Sequence, residues 1–377
     1  METVSFENSL QRRIWLDKAA LIPFEISTAW ITDEELLESC GQFYQYTMDG
    51  YDDILKYPVE NFIDPFDPVF DFRPGNRDVG RNTMEFHRGF HRDFPVRMLK
   101  FARDVFCDRI VLDTPVYTKA IKNMKTKYPT AKYIKDNYNI SFTFDDMMRL
   151  LERRGLNITV SEMVTVITSD KYPHMFTAMK QLYDAAQAFN KKTRRTPQYY
   201  GNMDFRAIEN PFRKPELSEL YYPLTIKEKE LLDKLNDYAV MKELKCKYCN
   251  LCGIREASFT YKKIHVMSFY WRESNGLKIR ITLPLPASPE HELLLNKINQ
   301  TDEPDKLIDF CLNNLYECLF CSKSCVKNHV YKKKWSILGH PAPVLPTQCW
   351  GLGSYFTLDK TTLELSCKMI DLLTEVY

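Results

Sequence analysis

Two cysteine clusters constrain this chain more than any other feature. Cys246, Cys249 and Cys252 follow Cys-x-x-Cys-x-x-Cys spacing, and Cys318, Cys321 and Cys325 are followed by His329. A Cys-x-x-Cys loop aims two sulfurs at one ion, and two such loops close a tetrahedral zinc site. Two ligand sets follow. One joins the clusters through Cys246, Cys249, Cys318 and Cys321; the other uses Cys318, Cys321, Cys325 and His329 alone. About 70 residues separate the clusters, so the first set depends on the fold. The expectation is a C-terminal domain stapled by structural zinc, which supplies folding free energy rather than catalysis. The competing reading is that these thiols are ordinary core, since cysteine is among the most often buried residues. A ferredoxin-type cluster begins with the same spacing but needs a further Cys-Pro, whereas Cys252 is followed by Gly253. A thioredoxin-type dithiol belongs in a βαβ setting, which the flanking pattern lacks.

The chain has 377 residues, enough for two or three domains at roughly 100–200 residues each. With 44% hydrophobic and 27% charged residues it is globular in composition. A net charge of +2 gives no global attraction to nucleic acid or anionic membrane, so such binding needs a local patch. No apolar run approaches the roughly 20 residues that span a bilayer, and the N-terminus lacks the pattern of a signal peptide. The expected location is cytoplasmic, where the 11 cysteines stay reduced or bind metal.

The pattern predicts an α+β protein: a mainly helical N-terminal domain over 1–190, a linker over 191–223, and an α+β domain with a small antiparallel sheet over 224–377. In the first domain, Thr32 and Glu35 form a capping box for a helix carrying Leu36, Leu37, Cys40, Phe43 and Tyr44. Asp67–Arg73 holds a candidate short strand, and a helix is expected over about 95–106. Residues 143–190 are expected to form a compact three-helix unit. Its first helix ends at Gly155, a capping box Thr159–Glu162 opens the second through Ile167, and Pro173 begins the third. Met175, Met179, Leu182, Ala186 and Phe189 form the core stripe of the third helix.

The linker carries Pro197, Pro211, Pro215 and Pro223 among aromatic side chains. Beyond it, Thr225 opens a helix carrying Leu231, Leu235 and Tyr238. Residues 264–271 and 277–283 flank Asn275-Gly276, a hairpin signal. In the second strand Leu277, Ile279, Ile281 and Leu283 face one side and Lys278, Arg280 and Thr282 the other. The first strand is apolar on both faces and should lie more centrally. Helices are expected over 288–299 and 303–316, short strands over 335–338 and 354–358, and a final helix capped by Thr361–Glu364.

Three further constellations bear on function. His87 and His91 lie four apart and would share a helix face, a spacing suited to a metal or an acid–base pair. Gly89 weakens that helix and Arg88 and Arg92 repel a cation, so a solvated polar segment is the plainer reading. The 143–190 unit followed by Lys191, Lys192, Arg194 and Arg195 allows a helix-turn-helix with phosphate contacts. Against it, the third helix begins with few base-reading side chains. The Lys327–Trp335 run reads as a solvated edge. Phosphate-loop, dinucleotide and nucleophile-elbow motifs are absent. The expectation is a non-enzymatic module that binds a small ligand or a protein partner. The alternatives are a DNA-binding regulator with a C-terminal sensor domain, and an enzyme using His87 and His91 or a reactive cysteine.

Overall fold

The computed structural model describes residues 18, 21–57, 99, 102–115, 118, 149, 151–193, 203–213, 216–222, 224–251, 254–272, 276–284, 288–313, 332–333, 336–341, 345–346 and 352–377. The chain divides into two compact units, Glu2–Lys214 and Pro215–Tyr377. The fold is α+β, with an antiparallel sheet in each unit.

In the N-terminal unit a short helix α1 (Phe24–Thr28) precedes α2 (Glu34–Lys56). Asp33, not Thr32, caps α2: its carboxylate accepts from the Leu36 amide at 2.9 Å. Cys40, Phe43, Tyr46, Tyr51 and Ile54 recur on one face of α2 and are buried. They meet the stripe Met175, Met179 and Leu182 of α3 (Met175–Thr193), with Phe205 and Ala207 beside a short helix α4 (Arg206–Glu209). The sheet contains β1 (Ala102–Val105), β2 (Arg109–Asp113), β3 (Asn157–Val160) and β4 (Val164–Thr168) in the order β1-β2-β4-β3. Ile110, Leu112 and Ile167 carry it into the same core.

This sheet corrects two expectations. The second half of the helix expected over 95–106 is the strand β1. The helix expected from Thr159 through Ile167 is the hairpin β3–β4. Its strands include Ile158-Thr-Val160 and Val164-Thr-Val-Ile-Thr168, all β-branched. Such side chains lose rotamer freedom in a helix and pack well on a pleated surface. Ser161 closes the turn: its hydroxyl donates to the Val164 carbonyl at 2.7 Å and accepts from the Val164 amide at 3.1 Å. The 143–190 segment is therefore not a three-helix unit, and its described residues contain no helix-turn-helix. Gly155, with φ +88°, lies between helical residues 151–153 and β3. The Asp67–Arg73 strand candidate lies outside the described residues.

In the C-terminal unit, Thr225 and Glu228 form a reciprocal capping box for α5 (Ile226–Met241). Five antiparallel strands follow: β5 (Lys245–Leu251), β6 (Ile254–Tyr261), β7 (Ile264–Arg272), β8 (Gly276–Leu283) and, after two small strand pairs, β13 (Leu352–Phe356). The small strands are β9 (Lys332–Lys333), β10 (Ser336–Ile337), β11 (His340–Pro341) and β12 (Leu345–Pro346). The main sheet runs β13-β8-β7-β6-β5, which puts β7 in the middle. Helices α6 (Pro289–Ile298), α7 (Pro304–Asn313) and α8 (Lys360–Val376) complete the unit. The cap of α8 is Asp359 with Thr362, rather than Thr361 with Glu364.

Helix α8 packs on β7 and β8 and is flanked by α5, α6 and α7. Beneath it Leu277, Ile279, Ile281, Met267, Phe269, Ala257 and Phe259 are buried on one face of the sheet. Phe259 and Phe269 meet with ring centroids 4.9 Å apart. Apart from Ala257, each such side chain contributes roughly 1.5–3 kcal/mol when fully buried.

Candidate functional site on the polar face of the C-terminal sheet

The ladder register assigns the second face of the sheet. Residues directly opposite in an antiparallel pair share a face, and alternate residues along a strand switch faces. Ser258 of β6 lies opposite Lys247 of β5 and Ser268 of β7, and Ser268 lies opposite Arg280 of β8. One row away, Glu256 shares the face with Ser258, and its carboxylate accepts from the Ser258 hydroxyl at 3.2 Å. Lys245, Thr260, Lys278 and Thr282 fall on the same side. Among the described side chains, one face of the sheet is thus apolar, and the other carries hydroxyls, cations and one carboxylate.

His265 joins this face because of an irregularity. Phe259 pairs with Met267 but the next residue, Thr260, pairs with His265, which leaves Val266 as an extra residue on β7. Without it, strict alternation would turn His265 to the helix-covered face with Met267 and Phe269. With it, His265 Nδ1 lies 2.6 Å from the Thr282 hydroxyl. Bulges re-aim a side chain in this way and recur beside functional sites. Burial lowers the His265 pKa below its usual value of 6.5, Arg280 lowers it further, and Glu256 opposes both. The ring is therefore neutral at pH 7, and Nε2 has no hydrogen-bond partner among the described residues.

Ser268 is fully buried, and its Oγ has no hydrogen-bond partner. Every other buried serine or threonine among the described residues is bonded. Ser27 and Thr28 donate to the Phe24 carbonyl, Ser39 to that of His174, Ser169 to that of Gly155 and Ser366 to that of Thr362. Thr165 pairs with Thr114. An unmade buried bond costs about 1–3 kcal/mol, so an open hydroxyl in the central strand is a feature that needs a reason. Across from it, Arg280 is 9% exposed.

The residues singled out in the sequence are placed as follows. Cys246 and Cys249 lie in the unbroken β5–β6 ladder, opposite Phe259 and Glu256 respectively. The backbone of this stretch is the regular strand β5. Cys246 is exposed. Cys252, Cys318, Cys321, Cys325 and His329 lie outside the described residues, as do His87, His91, Arg194 and Arg195. Among the described residues no group of three or more His, Cys, Asp or Glu is placed to hold a metal ion. Burial pushes the Cys40 and Cys311 thiols up to about 12, which disfavours the reactive thiolate form at both. Lys191 and Lys192 are exposed at the end of α3. No helix among the described residues is long and apolar enough to cross a membrane.

Lys278, Arg280 and Thr282 were legible in the alternation of β8. Ser268 carries a sequence signal of its own, as the lone small polar residue between Val266-Met267 and Phe269. His265 carried none, because nothing in the local sequence announces the extra residue at Val266. No family model matches this chain, and no curated protein or solved structure is significantly similar to it.

Proposed function

We propose that this protein is a non-enzymatic ligand-binding module, and that the polar face of its C-terminal sheet receives a small polar molecule. The observation that carries this reading is the Ser268 hydroxyl, buried and unbonded in the central strand, with Arg280 on one side and Ser258 on the other. Binding surfaces retain polar groups that stay unsatisfied until a ligand arrives, at the expense of stability in the free protein. The irregularity that turns His265 to the same face supports the reading, since it adds an acceptor or donor where plain alternation would add core.

Thermal unfolding of the full chain against a panel of sugars, polyols, nucleosides, amino acids, carboxylates and phosphates tests it. At least one compound should raise Tm with saturation, and Ser268→Ala should lose that response. A response of equal size in Ser268→Ala would contradict the reading.

A structural zinc ion remains part of the proposal. The β5–β6 ladder at Cys246 and Cys249 favours Cys318, Cys321, Cys325 and His329 as the ligand set over one shared between the clusters. Elemental mass spectrometry on protein purified without chelator should find one zinc per chain, retained in Cys246→Ser and lost in Cys318→Ser.

A further inference from the structure

The charges on the polar face narrow the chemistry of its ligand. Among the described side chains Lys245, Lys247, Lys278 and Arg280 share the face with one carboxylate, Glu256, while His265 is neutral at pH 7. The two β5 lysines are exposed at the sheet edge. Lys278 is half-buried and donates to the Thr357 hydroxyl at 2.8 Å. Arg280 is nearly buried, and its charge is felt at the His265 ring. Arg280 has contacts within the fold, and its guanidinium carries five donors.

The hydroxyls divide in the same sense. Ser258 spends its proton on Glu256, and Thr282 is engaged with His265. Among the described hydroxyls of this face, Ser268 is the one with no hydrogen-bond partner. It lies directly opposite Arg280, and side chains so paired have their Cβ atoms about 4.5–5.5 Å apart. Glu256 sits one row away, opposite Tyr270 and diagonal to Ser268. A buried hydroxyl donor beside a buried guanidinium, in a face with an excess of cations, selects an acceptor that carries negative charge. Hydrogen bonds of that kind are shorter and roughly twice as strong as neutral ones.

We propose that the Ser268–Arg280 pair binds an oxyanion, the carboxylate or phosphate group of a small molecule. The inference rests on the ligand-binding reading above and names its chemical class. The oxyanion accepts from the Ser268 hydroxyl and from the guanidinium. The lysines on β5 and Lys278 raise its local concentration without fixing its position. A cation is repelled by the same groups, and a neutral ligand leaves the face with its charge excess.

The test is titration of the full chain with sodium phosphate, sodium acetate, sodium chloride and glycerol at matched ionic strength, read by Tm and by calorimetry. Phosphate or acetate should bind with saturation beyond the chloride response; the stronger of the two identifies the group. Ser268→Ala should weaken that binding at least roughly tenfold, the equivalent of one charge-assisted hydrogen bond. Arg280→Gln should abolish it; should that variant not fold, Ser268→Ala alone decides. Equal responses to chloride and both oxyanions would overturn the inference. A Ser268-dependent response to glycerol or another neutral compound, without one to the oxyanions, would overturn the anion assignment and leave ligand binding standing. Absence of any Ser268-dependent response across the full panel would remove both.

Discussion

The buried hydroxyls described in the N-terminal unit are bonded, whereas one in the central strand of the C-terminal sheet is not. In the N-terminal unit Ser39, on α2, donates to the His174 carbonyl and accepts from the Ala178 amide at 2.8 Å, and so caps the first turn of α3 from a neighbouring helix. Ser169 donates to Gly155 and accepts from Tyr172 at 3.0 Å, fixing the turn between β4 and α3. Thr165, in the sheet itself, is paired with Thr114. In the C-terminal sheet Ser268 is as deeply buried and has nothing to bond. The closed hydroxyls staple elements of one unit to each other. The open one does nothing for the fold that alanine would not do better, which argues that it serves something other than folding.

The comparison is sharpened first by the apolar face that backs the polar one. Phe269, the neighbour of Ser268 in β7, is fully buried against Phe259. Phe269→Ala should destabilise the C-terminal unit by about 3–5 kcal/mol, as expected for a large core cavity. A loss of less than about 1 kcal/mol in urea unfolding would mean that this face is not the core. Next, Ser39→Ala removes the hydroxyl that links the Ala178 amide and the His174 carbonyl to α2. It should lower stability by about 1–3 kcal/mol, with faster hydrogen exchange at the start of α3. Unchanged exchange there would dissolve the contrast between closed and open hydroxyls.

Acid should separate the units as well. His265 and His291 of the C-terminal unit are both held below the usual histidine value, chiefly by burial. Where the folded pKa lies below the unfolded one, the unfolded chain binds protons first as the pH drops. Their contribution is fully present above about pH 6.5 and fades as the pH falls towards the depressed folded values. His291 has a direct bond at stake, since its Nε2 accepts from the Leu338 amide at 3.3 Å. In the N-terminal unit, burial pushes Asp49 up, but bonds from Lys171, Tyr172 and Gln45 together hold it below 3.8. That cluster persists until the pH falls below about 4. Hydrogen–deuterium exchange at pH 7.5 and 5.5, corrected for intrinsic rates, should show protection lost in 254–283 and 288–298 before 34–56 and 175–193. The reverse order would count against the assigned environments of the two histidines.

Much of the C-terminal unit was readable because its local signals agree with one another. Thr225 and Glu228 cap α5 as their spacing implies, Asn275-Gly276 marks the β7–β8 hairpin, and the alternation of Leu277 to Leu283 gives both faces of β8. The N-terminal unit misled where two signals compete. Thr159-Val-Ser-Glu162 has the form of a capping box, yet it precedes five consecutive β-branched residues, and the strand preference of that run prevailed. Thr32 and Asp33 are adjacent cap residues, and it is Asp33 that takes the cap, accepting from the Leu36 amide. At the candidate site, one half was visible and the other was not. Arg280 follows from period-two alternation within one strand. The pairing of Ser268 with Arg280 depends on hairpin register, and the turning of His265 depends on one extra residue opposite β6. Both are relations between strands, which a single segment of sequence does not encode.

The most direct test of the central claim is the unfolding free energy of Ser268→Ala in the absence of added ligand, measured against the wild-type chain. If the hydroxyl is buried and unbonded, removing it relieves a desolvated polar group, and the variant should be more stable by about 1 kcal/mol. A variant less stable by a similar amount would mean that Ser268 is already bonded within the fold, and the polar face would lose its claim to be a receiving surface.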